Sequence, residues 1–236
     1  MINILIPAMG KNIFFKDYYF PKPLVEINGK TMLELLVNDY GCLEEKKLTF
    51  VFLDDECKKF HLDDSAKILC DCNCIKLKNE TEGALCTSLM AINYIDNDNP
   101  LIIANMDQII DVDYNEVLKF FKEKNCDAGV ITFQDIHPRW SYIKTDGEFV
   151  CEVAEKRPLS HDAIAGFYYY SKGSNFVEAA KRVLLKRNSL EGRYYISSSL
   201  NEIILDGLKV GYYRINKEQY KSFYSPAKIS EYEGSK

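Results

Sequence analysis

Three short and mostly apolar runs, residues 2–7, 48–53 and 101–104, constrain this chain most. Each is too short for a buried helix, and each leads into a polar loop. Runs of this kind fit strands covered on both faces, as in a parallel sheet. Helical periodicity fills the gaps between them. Thr31 precedes Met32-Leu33-Glu34 as a capping box, and Leu33, Leu36, Val37 and Tyr40 then recur on one helical face. Strand alternating with helix predicts an α/β fold, a three-layer αβα sandwich with a mostly parallel wound sheet.

The remaining elements follow the same logic. A strand is expected over residues near 67–78 and a helix over 81–94. Asp113 with Glu116 caps a helix running to 124, and residues 128–133 form a strand. The pattern then changes. Residues 142–144 and 148–153 flank Asp146-Gly147, a hairpin signal. A strand at 163–170, helices near 174–187 and 194–206, and a last strand at 209–214 complete a mixed half that extends the same sheet. The tail after Tyr220 is polar and weakly patterned. No repeat or linker interrupts the chain, so residues 1–236 read as a single domain with halves at 1–125 and 126–236.

The formal net charge of −5 argues against a general nucleic-acid binder, which needs a basic stripe. No apolar run approaches the roughly 20 residues that span a bilayer, and no signal segment is visible, so no membrane role is expected. The 8 cysteines are expected to be free thiols in a reducing cytoplasm. Cys70, Cys72 and Cys74 form a C-x-C-x-C run whose sulfurs would share one face of a strand. No fourth ligand stands at zinc-type spacing, and a thiol-rich strand is the plainer reading.

Several segments carry chemistry. The loop after the first strand holds Ala8, Met9 and Gly10, with Lys11, Lys16 and Lys22 close behind. Free backbone N–H groups and cationic side chains in such a loop suit a phosphate cradle. Asn105-Met106-Asp107 closes a buried strand, and ligands of open α/β sheets bind outside such ends. A carboxylate there suits Mg²⁺ held against a phosphate. Thr81-Glu82-Gly83-Ala84 puts small residues at a helix start, where a flat ring can approach the backbone. Glu155-Lys156-Arg157-Pro158 pairs a cation with a carboxylate ahead of a proline turn. Gly166 interrupts a strand, the mark of close approach by a ligand or backbone. Each has a plainer alternative: a loop aspartate, a helix cap, a solvated charge cluster. Asp111-Val112-Asp113 is formally a D-x-D metal motif, although Asp113 is more readily a cap. His61, His137 and His161 show no catalytic pairing pattern.

Taken in order, these segments resemble the sugar-phosphate nucleotidylyltransferase family, with its GT-A-like Rossmann fold. Pro21-Lys22-Pro23-Leu24-Val25-Glu26-Ile27-Asn28-Gly29-Lys30 is similar to the family's Pro-Lys-Pro-Leu segment. Thr81–Ala84 resembles its base-binding Gly-Ala segment, Asn105-Met106-Asp107 its magnesium aspartate, Glu155-Lys156 with Pro158 its Glu-Lys-Pro segment, and Ala165–Tyr168 its Gly-x-Tyr strand. The likeness covers roughly residues 1–215. It implies transfer of a nucleoside monophosphate from a nucleoside triphosphate to a phosphorylated sugar or small phosphorylated alcohol, with release of pyrophosphate. It further implies Lys22, Lys11 and Asp107 as catalytic groups, with Asp107 on Mg²⁺. Ala8, Met9, Gly10, Thr81, Glu82, Gly83, Ala84 and Asn105 would meet the nucleotide, a pyrimidine being slightly favoured. Glu155, Lys156, Gly166 and Arg139 would meet the acceptor. The nucleotide would lie on residues 1–125 and the acceptor on 126–236, in a bacterial surface-polysaccharide pathway. Two departures mark a divergent member: the loop has one glycine and no arginine, and Ser222–Pro226 offers no second metal carboxylate. Two other readings stay open. One is a GT-A-type glycosyltransferase using Asp111 and Asp113, and the other a degenerate, non-catalytic nucleotide-binding module.

Overall fold

Strand β1 (Ile2–Pro7) sends Ile4 and Ile6 into one core and Leu5 into another, all three fully buried. That two-sided burial is what a central parallel strand requires. The computed structural model describes residues 1–10 and 13–234. After β1 come 3-10 turns at Ile13–Phe15 and Lys22–Leu24, the small hairpin β2 (Glu26–Ile27) and β3 (Lys30–Thr31), and helix α1 (Met32–Asp39). Next are β4 (Lys46–Leu53), α2 (Asp54–Phe60), α3 (Leu62–Leu69), β5 (Cys72–Leu77), α4 (Ala84–Leu89) and α5 (Ile92–Ile95). Then follow β6 (Leu101–Ala104), β7 (Gln108–Ile110), α6 (Tyr114–Glu123) and β8 (Ala128–Gln134). The second half contains β9 (Ser141–Asp146), β10 (Phe149–Glu155), β11 (Asp162–Tyr170), α7 (Gly173–Leu185), α8 (Ser197–Leu205), β12 (Val210–Arg214), β13 (Tyr220–Ser222) and α9 (Pro226–Gly234).

The main sheet runs β10-β9-β11-β6-β1-β4-β5, with β8 on β11 and β12 on β8. Its first half, β6-β1-β4-β5, is parallel throughout, and β11 joins β6 antiparallel to open the mixed half. The expected fold class is thus present: an α/β sandwich with one wound sheet that the second half extends. One face packs Leu33, Leu36, Leu62, Ala66, Tyr114 and Phe121 on the sheet. The other packs Phe176, Val177, Ala180, Leu200 and Ile203. The chain moves outward from β1 to β4 and β5, then crosses back to β6 on the other side of β1. The carboxyl ends of β1 and β6 therefore flank the point where the winding reverses, the standard ligand position of such sheets.

Local chemistry explains the boundaries. Thr31 Oγ1 accepts from Glu34 N at 3.1 Å, and Asp113 caps α6 by accepting from Asn115 N at 2.8 Å. Asn28 and Gly29 both have positive φ (52° and 75°), which closes the β2–β3 hairpin. Three expectations need correction. Residues 62–69 form a helix, because Leu62 and Ala66, one turn apart, seat it in the core; the strand starts only at Cys72. The helix expected over 81–94 starts only at Ala84, beyond Glu82 whose carbonyl is taken by Tyr194 N, and it is split at residues 90–91 into α4 and α5. The weakly patterned tail is ordered as β13 and α9, held by a small core of Phe15, Val25, Ile27, Met32, Phe223 and Ile229. Among the described residues no helix is long and apolar enough to cross a membrane.

Candidate active site

Proline sets the first wall. Pro21 sits at φ −64° and Pro23 follows inside the turn, so Lys22–Leu24 forms a tight 3-10 turn closed by Leu24 N to Pro21 O at 2.9 Å. Pro23 is buried, and the turn packs beside α1. That fixes the root of Lys22. Its ammonium meets the Asp107 carboxylate in a close ion pair, each side chain only 17% exposed. Phe15 supports the ammonium from 5.9 Å.

Asp107 is placed by the end of β6. Asn105 N donates to Gly166 O at 3.1 Å, and Phe223 N donates to Asp107 O at 2.8 Å. Buried Gln108 donates to Gly166 O at 2.9 Å and accepts from Tyr220 Oη at 3.3 Å. Gly166 has φ +61°, and a Cβ there would lie 2.3 Å from both Asn105 Nδ2 and Gln108 Oε1. The expected close approach at this glycine is made by those two side chains, and the pairing of β11 with β8 shifts register beside it.

These walls enclose a cleft of about 560 Å³, lined by Ala8, Gly10, Lys16, Lys22, Asn105 and Asp107 among others. Met9, between Ala8 and Gly10, is 3% exposed and anchors the loop in the core. Ala8 N donates to Val51 O at 3.0 Å. Lys11 lies outside the described residues. On the outer rim Lys59 Nζ stands 5.1 Å from the Tyr19 ring and 4.8 Å from the Phe60 ring.

The second cluster forms around residues 190–197, which sequence reasoning did not single out as functional; the helix expected from 194 starts only at Ser197. Tyr194 N donates to Glu82 O at 2.7 Å, and Leu85 N donates to Tyr194 O at 3.2 Å. Gly83, at φ +122°, makes room for this: a Cβ would lie 2.4 Å from Tyr194 O. Thr81 donates to Gly83 O at 3.0 Å and contacts Thr87 Oγ1 at 2.7 Å, so it braces the turn and α4 starts at Ala84. The same segment reaches the Glu155-Lys156 turn. Ser197 Oγ donates to Glu155 Oε2 at 2.8 Å, and Ser141 Oγ donates to the same oxygen. Burial pushes the Glu155 carboxyl above its usual range, against those two bonds. Lys156, at φ 54°, lies 3.7 Å from Glu191 and 5.2 Å from the Tyr195 ring. A hydrogen bond with Tyr195 is the main cause holding the Lys156 ammonium above its ordinary range. Residues 190–197 thus tie the turn at 81–84 to the turn at 155–156. A turn-forming Glu191-Gly192, both at positive φ, was the one sequence clue.

Lys156 N donates to Trp140 O at 3.0 Å, next to Arg139, but the Arg139 side chain lines a cleft that includes neither Glu155 nor Lys156. The Arg139 guanidinium stacks on Tyr224 at 3.7 Å in this separate cleft of about 590 Å³, lined also by Asp135, Trp140, Lys217 and Tyr220. The D-x-D carboxylates do not line the Lys22–Asp107 cleft either. Asp113 is spent as a helix cap, and the Asp111 backbone is tied to Gln219 at 2.8 Å. Among the described residues no three His, Cys, Asp or Glu side chains group as a metal set.

A cation and an acid stand at the reversal point of a wound sheet, with a second cation-bearing turn on the mixed half, an arrangement whose charges suit phosphate esters. The chain belongs to the Nucleotidyl transferase family, which it matches over residues 18–217, and its general reaction is nucleotidyl transfer. No curated protein matches the sequence. The nucleoside-diphosphate-sugar pyrophosphorylase from Vibrio cholerae RC9 has a similar structure: TM-score 0.84, 22% identity, 99% of this chain and 100% of that one. A putative glucose-1-phosphate thymidylyltransferase from Bacillus anthracis, in complex with a sucrose, gives a TM-score of 0.81 at 13% identity over 100% of this chain and 95% of that one. At these identities the likeness is one of fold.

Proposed function

We propose that this protein joins a nucleoside monophosphate, taken from a nucleoside triphosphate, to a phosphorylated sugar or small phosphorylated alcohol. The observation that carries the reading is the meeting of Lys22 and Asp107 across one open cleft at the carboxyl ends of β1 and β6. A phosphate oxygen of the acceptor attacks the α-phosphorus, a new P–O bond forms, and the bond to the β-phosphate breaks as pyrophosphate leaves. Positioning and charge neutralisation supply the rate. Lys22 leaves Asp107 as the polyanion enters and balances its charge, with Lys16 beside it. Backbone groups of residues 8–10 and 81–84 hold the nucleotide. Lys156, braced by Tyr195, holds the acceptor phosphate, and Glu155 accepts from an acceptor hydroxyl.

Magnesium fits this donor set. It is commonly held by one or two carboxylates plus substrate phosphates, and among the described residues the cleft is lined by two, Asp107 and Glu56. Asp107 would hold the ion, which when bound neutralises charge on the nucleotide phosphates. A pyrimidine triphosphate, a cytoplasmic location and a surface-polysaccharide role accord with this reading.

The test is pyrophosphate release with each triphosphate, Mg²⁺ and a panel of sugar phosphates and phosphorylated alcohols. Acceptor-dependent release is the expected result. Thermal stabilisation by triphosphate with no release under any acceptor would instead favour a binding module.

A further inference from the structure

We propose that Cys72 is a peroxide-reactive thiolate resolved by Cys74, an oxidation site on edge strand β5 remote from the cleft. Cys72 pairs with Leu48 at the start of β4, so it lies toward the opposite edge of the sheet from the carboxyl ends that build the site. Cys72 and Cys74 point to the same side, and their sulfurs are 3.8 Å apart. Cys70, just beyond α3, completes the cluster and contacts the Cys72 sulfur. All three are partly exposed and none is in a disulfide.

Cys72 is the middle thiol of the three, within reach of both neighbours. Cys70 can donate to Ala66 O at 3.6 Å and Cys74 to Asp63 O at 3.8 Å. Either can also turn its S–H to Cys72. Hydrogen bonds from Cys70 and then Cys74 pull the Cys72 thiol down, with Lys47 of β4 adding to the effect. Burial opposes this more than Lys47 assists it, and Asp71, itself paired with Lys47 at 2.5 Å, opposes it further. Lys46 lies beside Cys70, and Asp63 and Lys67 of α3 lie beside Cys74. A stabilised, accessible thiolate beside a resolving thiol is the arrangement of redox-sensitive cysteines. The chemistry balances with hydrogen peroxide as oxidant. The Cys72 thiolate attacks one peroxide oxygen, an S–O bond forms, the O–O bond breaks, and water leaves after taking a proton. The sulfur loses two electrons to become a sulfenic acid. The Cys74 thiol then displaces that oxygen as a second water and closes a disulfide.

The experiment is iodoacetamide alkylation of the intact protein at pH 5, read per cysteine by peptide mass spectrometry. Exposed Cys42 and Cys151 serve as internal references. At pH 5 an ordinary thiol is ionised to roughly 0.03%. The lower nucleophilicity of a stabilised thiolate returns part of that advantage, so Cys72 is expected to label about tenfold faster than either reference. One equivalent of peroxide should then give a Cys72–Cys74 cross-linked peptide, and the double variant Cys70→Ser/Cys74→Ser, which removes both neighbouring thiols, should leave a dimedone-reactive Cys72, with circular dichroism confirming its fold. Labelling of Cys72 no faster than Cys42 and Cys151, or peroxide oxidising those two first, overturns the proposal.

Discussion

Lys22 and Asp107 lie 85 residues apart in sequence and neutralise one another in a cleft that water enters. Each side chain is only 17% exposed, so removing one leaves the other charge poorly compensated and lowers stability as well. Lys22→Ala and Asp107→Ala should each lower turnover about 10²- to 10³-fold, with a reduced Tm but a fold retained by circular dichroism. Near-normal pyrophosphate release by either variant rejects the assignment. Asp39 offers a contrast, a stability effect without a functional one. Burial raises its carboxyl from 3.8 to about 6, although it accepts from Tyr114 Oη at 2.7 Å and Ile110 N at 3.4 Å. A carboxyl raised on folding is penalised when ionised, so this penalty is absent below the unfolded pKa, grows between about pH 4 and 6, and is full above it. Asparagine can accept the same two hydrogen bonds without the charge. Asp39→Asn should stabilise the protein at pH 8 by up to about 3 kcal/mol, with the gain vanishing near pH 4. Denaturant melts at the two pH values check the sign.

At the scale of elements, Gly166 is the joint that lets β6, β7 and β11 converge. Gly166→Ala imposes a left-handed side chain and drives a methyl into Asn105 and Gln108. The expected cost is about 2–3 kcal/mol, read as a Tm lower by roughly 5–10 °C. Turnover should fall beyond what unfolding explains, since the Asp107 backbone is aligned by the same contacts. What the sequence revealed follows from how local each signal is. The strands 48–53 and 101–104 could be read because double-sided burial leaves no polar alternation, and the turn at Asn28-Gly29 because only such residues take those dihedrals cheaply. Lys22 and Asp107 were legible through proline stiffness and a strand end. The segment 190–197 was not, because its work is done by backbone groups and by partners on distant elements. Thr81 looked like a helix cap, but its hydroxyl turns to Gly83 O and Thr87 Oγ1 instead.

Across the whole molecule, one small core joins distant stretches of chain. Phe15, Val25, Ile27 and Met32 pack with Phe223 and Ile229, and Asn28 N donates to Glu233 at 2.9 Å, 205 residues away. This cluster backs the wall that carries Lys22, and β13 pairs with β7 just after Asp107. Deleting residues 226–234 should leave the central sheet folded, because its own two cores do not involve them. Activity should nevertheless fall by more than tenfold, and residues 13–31 should become open to proteolysis, which limited digestion would reveal. An unchanged digestion pattern with full activity would show that the cluster is dispensable.

That same cluster imposes a timetable. At roughly 5–20 residues per second, a ribosome that has released Asn28 needs about 10–40 seconds more before Glu233 can reach it. Throughout that interval the amino-terminal stretch waits with its apolar side uncovered, and a nascent chain with a finished sheet still lacks a finished cleft.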